Sequence, residues 1–381
     1  MDTGRLLVNG YIRNLIFEYS IVNAKYEMVH KKNKTLKAVD FFCSGGGMTY
    51  GLRQAGIRVL GGIDIDVACK ETYEKNNPCS QFILADAFEL KEKNLQTILG
   101  LKKNDDNLIL VGCSPCQYWS IIRTDKTKSS KSKNLLLEFK RFVDYFHPGY
   151  VLVENVPGIL THKNTSGLEC FVVALENNGY KVQYDIVNMS DYGIPQSRRR
   201  FSLLATRLHE EPIFPVANKN YKPTVREFLG VNQGFIKIKH GYRDSTEFNH
   251  STARLSDKNE KRLKKTPHNG GSWLDWANDK DLKRLHYRGN GFIDNYGRIS
   301  WDKPAPTITT KFIRISNGRF AHPEEDRGLS IREGATLQTF PKDYIFPAKS
   351  LNVSAKIIGN AVPPLFAKGL AETIIKAHNH E

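Results

Sequence analysis

No stretch of the chain approaches the roughly 18 uncharged apolar residues that a membrane-spanning helix needs, so no membrane partner is expected. The opening segment, MDTGRLLVNGYIRNLIFEYS, has an acid at Asp2 and no basic leader. Asn9, Arg13 and Asn14 interrupt its apolar residues, and it predicts no signal peptide. Cysteine is sparse, six residues in 381 with no regular framework, which fits free thiols in a reducing, cytoplasmic setting. There is no internal repeat, and the dinucleotide spacing G-x-G-x-x-G is missing, which weakens any NAD reading. A zinc site built on Cys113 and Cys116 would need two further ligands at comparable spacing. Cys43, Cys69, Cys79 and Cys170 stand singly, so no metal is predicted. Acidic residues are in short supply, 40 against 56 Lys and Arg, which leaves a net charge of +16. Such a surplus attracts polyanions, nucleic acid above all, although a basic surface kept for solubility explains it equally well.

Hydrophobic residues make up 40% of the chain, an ordinary globular share. From Leu36 onward, short apolar runs alternate with helix-length amphipathic stretches. LKAVDFFC, IRVLGGID, QFILAD, NLILVG, YVLVENV, VQYDIVN and RFSLLAT read as strands. MTYGLRQAG, VACKETYEKNN, NLLLEFKRFVDYF and GLECFVVALENNGY read as helices. This order predicts an α/β fold with a doubly wound, mostly parallel sheet, whose ligands sit beyond the carboxyl ends of the strands. The alternation stops near Arg207. Between Lys219 and Arg298, 17 Lys and Arg face 9 Asp and Glu with no clear period, which suggests a smaller basic domain. The expected organisation is an extension over 1–35, an α/β domain over 36–210, a smaller basic domain over 211–297, and a return segment over 298–381 that completes the α/β domain. A Ser/Lys tract over 123–134 reads as a loop.

VDFFCSGGGMTYGL places glycines between a strand and a helix, where the backbone can turn sharply and approach a ligand. Alone, it is as readily a tight structural turn. Asp64 ends the second strand and Asp86 the third; each could serve a nucleotide's ribose or base, or cap the helix that follows. Cys113 and Cys116, in LILVGCSPCQYWS, leave open a redox pair or a single nucleophile. Their company favours the nucleophile. Glu154 ends the next strand, and Arg198 and Arg200 alternate along a strand toward one face. A thiol, a carboxyl group and two guanidiniums suit attack on a polar ring better than electron transfer.

The order of the Gly-rich turn, SPCQ, ENV, QSRRR, a variable basic region and IIGNAVPP resembles the cytosine-5 DNA methyltransferases, from about Ala38 to about Ala371. The resemblance implies a Rossmann-like sheet, S-adenosylmethionine as cofactor with S-adenosylhomocysteine as product, and duplex DNA as partner. It further implies a bacterial or phage monomer, with a cognate restriction endonuclease acting on the same site. Cys116 matches the nucleophile that forms a covalent adduct with a flipped cytosine, and Glu154 the acid that contacts the ring. Arg198 and Arg200 match the arginines that hold the base carbonyl, the loop and nearby phosphates. Phe42, Ser44, Gly45, Gly47, Asp64, Ile65, Asp86, Ala87, Pro115, Leu135, Asn360 and Val362 match cofactor-pocket positions. The Ser/Lys tract falls where these enzymes carry a loop that closes over DNA. In this light Cys113 reads as a buried bystander. Two departures stand out. Ser44 replaces the first glycine of the turn, which it tolerates if its φ stays negative, and Asp64 replaces a commoner glutamate with a shorter side chain. An RNA cytosine methyltransferase, a non-catalytic DNA-binding regulator and a dithiol oxidoreductase are the rival readings. In NGGSWLDWAND and RLHYRGNGF, the Arg, Asn and aromatic side chains suit either base contact or a small core.

Overall fold

The computed structural model describes residues 35–114, 134–282, 294–348 and 350–379, and its chain divides into two compact units. The first draws on 1–187, 199–216 and 367–381, and the second on 188–198 and 217–366.

The first unit is built on a seven-stranded sheet. Its strands are β1 (Lys37–Phe41), β2 (Arg58–Asp64), β3 (Gln81–Leu84), β4 (Leu108–Gly112), β5 (Tyr150–Asn155), β6 (Lys181–Asn188) and β8 (Arg199–Thr206), in the order β3-β2-β1-β4-β5-β8-β6. All seven strands expected from the apolar runs are present. β1 to β5 pair in parallel, and β8 is antiparallel to β5, with Glu154 opposite Ser202. The strands β4 and β5 are buried along their whole length, as continuous apolar runs in a sheet covered on both faces should be.

Between the strands lie α1 (Gly47–Gln54), α2 (Lys70–Asn76), α3 (Glu92–Leu99), α4 (Leu135–Phe146) and α5 (Leu168–Asn177). α4 shows how the covering works. Leu136, Phe139, Phe142, Val143 and Phe146 recur at helical spacing on its buried face. The rings of Phe139 and Phe142 lie 5.3 and 4.7 Å from that of Phe41 on β1. Gly112 allows this approach, because a Cβ there would lie 2.6 Å from the Phe139 ring. α3 is a helix the apolar pattern did not single out; Gly100, in the left-handed conformation, ends it.

The second unit has little regular structure. Its helices are α6 (Val225–Leu229), α7 (Asp257–Lys265), α8 (Ile331–Leu337) and α9 (Leu351–Asn360), and the two-residue strands β7 (Gln196–Ser197) and β9 (Ala305–Pro306) pair in parallel. The helix α10 (Pro364–His378) begins in this unit and continues into the first. Irregular chain leaves backbone carbonyls without ladder partners, and buried arginines supply the missing donors. Arg298 donates to the carbonyls of Leu263, Thr266, His322 and Glu325 and pairs with Asp326. Arg332 reaches the carbonyls of Glu247, Phe248, Pro341 and Tyr344. Arg327 is held by Glu333 at 2.7 and 2.8 Å and by Glu325 at 3.0 Å. Trp273, Trp276 and Leu282 form a small buried cluster, so these aromatics of NGGSWLDWAND are core. RLHYRGNGF and residues 1–34 lie outside the described residues.

Candidate active site

The chemistry-bearing residues of the first unit gather at the carboxyl ends of its parallel strands. After β1 the chain turns through Phe42, Cys43, Ser44, Gly45 and Gly46 into α1. Phe42 has φ 63° and Ser44 φ 48°. The condition of a negative φ at Ser44 is not met: the serine takes the left-handed conformation that glycine adopts without steric cost. What holds it there is Asp64 at the end of β2. One oxygen of that carboxylate accepts the Ser44 N–H at 2.8 Å and the other accepts the Asp66 N–H at 2.8 Å. The cap of the following turn is Asp66, whose side chain accepts from the Ala68 N–H at 3.1 Å. Asp64 is thus tied to the glycine turn rather than serving as a simple helix cap.

Asp86, just beyond β3, accepts the Phe88 N–H at 3.0 Å and shapes the turn that follows. Ala87 is buried, and its carbonyl accepts from Arg141 of α4, which also bonds the Leu90 carbonyl and pairs with Glu92 and Glu138. Arg141 therefore locks the Asp86–Ala87 turn to α4, whose first residue, Leu135, is half-buried. Next to Asp64 in the chain, Ile65 stands 66% exposed, and nearby Val67 is 64% exposed. Two carboxylates on adjacent strand ends beside an uncovered apolar side chain make a donor set that fits an adenosine moiety. The carboxylates can take hydroxyl and amino protons, and the apolar surface can cover a flat ring.

Beneath the turn, Asp40 of β1 is fully buried and accepts a hydrogen bond from Thr49 at 2.7 Å. Burial pushes its carboxyl up to about 7, and the nearby charge of Asp64 adds to the rise.

At the end of β5, Glu154 is buried and its carboxylate lies 3.2 Å from Nε of Arg200 on β8. Antiparallel register explains the meeting, because Glu154 faces Ser202 and Arg200 is the diagonal neighbour on the same face. Asn155 was not among the expected site residues. Its side-chain amide donates to the Ser114 hydroxyl at 3.0 Å and to the Ser114 carbonyl at 3.3 Å. The last described residue before Pro115 is thereby fixed to β5. The signal was present in the sequence as the middle letter of ENV, but only register shows what the amide reaches. Cys113 is the neighbouring thiol. Burial pushes its ionisation well above the usual thiol range, and the charges of Asp40 and Glu154 add to the effect, so it stays protonated. Pro115, Cys116 and residues 117–133, which include all but the last residue of the Ser/Lys tract, lie outside the described residues.

Three expected site residues belong to the second unit. Arg198 is buried, and its guanidinium donates to the carbonyls of Ile308 at 3.1 Å, Gly359 at 3.3 Å and Ala361 at 3.2 Å. These bonds hold the end of α9, and Arg198 stands between β7 and β8 rather than within one strand with Arg200, which corrects the expected alternation along a single strand. Asn360 is exposed at the last position of α9, and Val362 is buried just after it. Gly359 is required here, since a Cβ would lie 2.4 Å from the backbone of Thr309 and Thr310. Among the described residues no cluster of His, Cys, Asp or Glu could hold a metal ion, and no helix is long and apolar enough to cross a membrane.

A seven-stranded α/β sheet with acidic strand ends and a glycine turn is a framework suited to a nucleotide-bearing ligand. The comparisons narrow this. The family model of the C-5 cytosine-specific DNA methylases matches residues 36–376. Type II methylase M.HgiDII of Herpetosiphon aurantiacus is 38% identical over 343 residues, covering 88% of this chain and 94% of its own. Type II methyltransferase M1.HphI of Haemophilus parahaemolyticus is 29% identical over 349 residues, covering 91% and 88%. The solved Entamoeba histolytica methyltransferase EhMeth shares the fold, with a TM-score of 0.62 at 15% identity over 91% of this chain and 99% of that one. The chain belongs to the C-5 cytosine-specific DNA methylase family. Its activity is DNA (cytosine-5-)-methyl transfer.

Proposed function

We propose that the enzyme methylates cytosine in a specific duplex sequence through a covalent adduct between Cys116 and a cytosine flipped out of the helix. The observation that carries this reading is the Glu154–Arg200 pair at the end of β5, beside an Asn155 that fixes Ser114, two residues before Cys116 in sequence. Carbon 5 of cytosine is a poor nucleophile while the ring is aromatic, and it lies inside the base stack, so the base must be extruded. The Cys116 thiolate adds to carbon 6, and electron density shifts to carbon 5. Glu154 hydrogen-bonds the ring nitrogen and amino group and favours that shift, while Arg200 orients Glu154 and meets the base carbonyl. Carbon 5 takes the methyl group, a base removes its proton, and the carbon–sulfur bond breaks to release 5-methylcytosine and the thiolate. When bound, S-adenosylmethionine supplies the electrophilic methyl.

In the cofactor pocket of the first unit, Asp64 would receive the ribose hydroxyls and Asp86 the adenine amino group. Ile65 would cover the ring, and the turn over Phe42, Ser44, Gly45 and Gly47 would face the rest of the molecule. The Type II names of the relatives support a place in a restriction–modification pair, with an endonuclease of the same sequence preference. The basic stretch over 211–297 would read that sequence.

A duplex whose target cytosine carries fluorine at carbon 5 tests the mechanism. Addition and methyl transfer proceed, but fluorine cannot leave as a cation, so the protein stays attached through denaturation. Trapping should need S-adenosylmethionine, vanish in Cys116→Ser, fall sharply in Glu154→Gln and persist in Cys113→Ser. Equal loss in both cysteine variants would overturn the single-nucleophile reading.

A further inference from the structure

We infer that a cavity in the second unit, outside the groups assigned above, clasps a phosphodiester of the DNA backbone. The cavity has a volume of about 390 Å³ and is lined by Arg243, Arg254, Arg314, Ser350 and Asn352, with Ala253, Ile313 and Leu351 as its apolar part. Three guanidiniums converge there with no carboxylate among the lining residues.

The backbone explains the convergence. Gly241 N–H donates to the Ala253 carbonyl and Thr252 N–H to the Tyr242 carbonyl, both at 3.1 Å, so the two segments run side by side; Arg254 packs against Gly241, and Arg243 lines the same cavity from the neighbouring segment. One guanidinium nitrogen of Arg243 donates to the Thr252 and Tyr242 carbonyls, which fixes the head group at the rim of the cavity and leaves its other nitrogens for a ligand. Arg314 also lines the cavity and donates to the side chain of Asn352 at 3.3 Å. Arg254 makes no hydrogen bond or ion pair with any described residue, and all three arginines are exposed. The first turn of α9 opens into the same space. Ser350 does not cap it with its side chain, so the positive end of the helix adds to the field.

Elsewhere in this unit, arginines that serve the fold are buried and saturated by carbonyls, as Arg298 and Arg332 are. Three exposed guanidiniums facing one concavity form a different arrangement, and a forked donor set matches phosphate oxygens. The lining has no aromatic ring to stack a base and no carboxylate to receive sugar hydroxyls. That favours the sugar–phosphate backbone over a free nucleotide or a base edge, giving a contact that positions the duplex without reading it.

The inference rests on duplex DNA being the substrate, which the fluorocytosine trap tests independently in the wild-type protein. The affinity of the full chain for cognate and for unrelated duplexes is measured across a salt series. In Arg254→Ala/Arg314→Ala the slope of log affinity against log salt should shrink by about 1 per arginine, equally for both duplexes. Arg254→Lys/Arg314→Lys should keep the slope, which controls for folding. As a second reading on wild-type protein, a neutral methylphosphonate at one backbone position should weaken binding there and leave the alanine variant unaffected. An unchanged slope in a folded alanine variant would overturn the inference, as would a loss confined to the cognate duplex. Saturation of the arginines by inorganic phosphate with the slope unchanged would show an anion site that DNA does not use.

Discussion

Ser44 is where one atom group changes the local energetics most plainly. A left-handed conformation costs an L-residue roughly 1–2 kcal/mol. The Asp64 carboxylate, which accepts the Ser44 N–H, holds it there against that cost. Glycine would relieve the strain but lose about 0.5–1 kcal/mol through its greater freedom in the unfolded chain. Ser44→Gly should therefore raise stability by about 0.5–1 kcal/mol. Urea unfolding would show this as a higher midpoint with an unchanged slope; a lower midpoint would mean that the serine hydroxyl matters more than the backbone. The substitution was visible in the sequence as a departure from the family's turn, but its φ was not, because an inward-facing carboxylate twenty residues away decides it. Arg198 teaches a similar lesson. Alternation along QSRRR suggested one strand carrying both guanidiniums to one face, yet Arg198 stands between β7 and β8 with its guanidinium on three carbonyls, while Arg200 on β8 pairs with Glu154.

Among the elements, β1 to β5 were legible because parallel strands buried on both faces are written as unbroken apolar runs. α3 was not, since its buried Leu95, Ile98 and Leu99 are too few to establish a period. The second unit escaped prediction for a different reason. Its order comes from buried ionic and carbonyl-bound groups, which in sequence look like part of a basic surplus. α8 is the clearest case: Ser330 and Glu333 cap it reciprocally, Glu333 binds Arg327, and His322 lies 3.8 Å from Glu333 and 3.5 Å from Glu325. Burial pushes His322 down to about 4. Its Nδ1 also accepts the N–H groups of Glu324 at 3.2 Å and Glu325 at 3.0 Å, bonds that protonation would break. A histidine whose folded value lies below its unfolded one contributes stability above about 6.5 that is lost as the pH falls toward 4. The loss should reach the order of 3 kcal/mol. In His322→Asn, where an amide oxygen can accept the same N–H groups, the acid limb of the stability profile should flatten. A profile identical to wild type would mean that other groups carry the acid sensitivity.

For the whole molecule, the charge of +16 is a statement about DNA affinity, with one adjustment. Arg262 and Arg298, counted within the basic stretch, are buried and serve the interior, so the surplus facing solvent is smaller than the sequence count. Exchanging residues 211–297 for those of a relative with another specificity should change which cytosines are methylated, as read by bisulfite sequencing, and preserve fluorocytosine trapping. A chimera that keeps its original preference would place recognition elsewhere in the chain.

The path of the chain between its two units has a consequence for biosynthesis. It passes from one unit to the other after residues 187, 198, 216 and 366, so the sheet-bearing unit receives its last contribution from 367–381. There His378 of α10 meets the Tyr150 hydroxyl at 3.2 Å and the Asn107 side chain at 3.1 Å, joining late-made helix to early-made strands. During translation the ribosome will have released nearly every strand before that helix emerges. The nascent sheet must therefore wait, with one patch uncovered, until synthesis of this stretch is over.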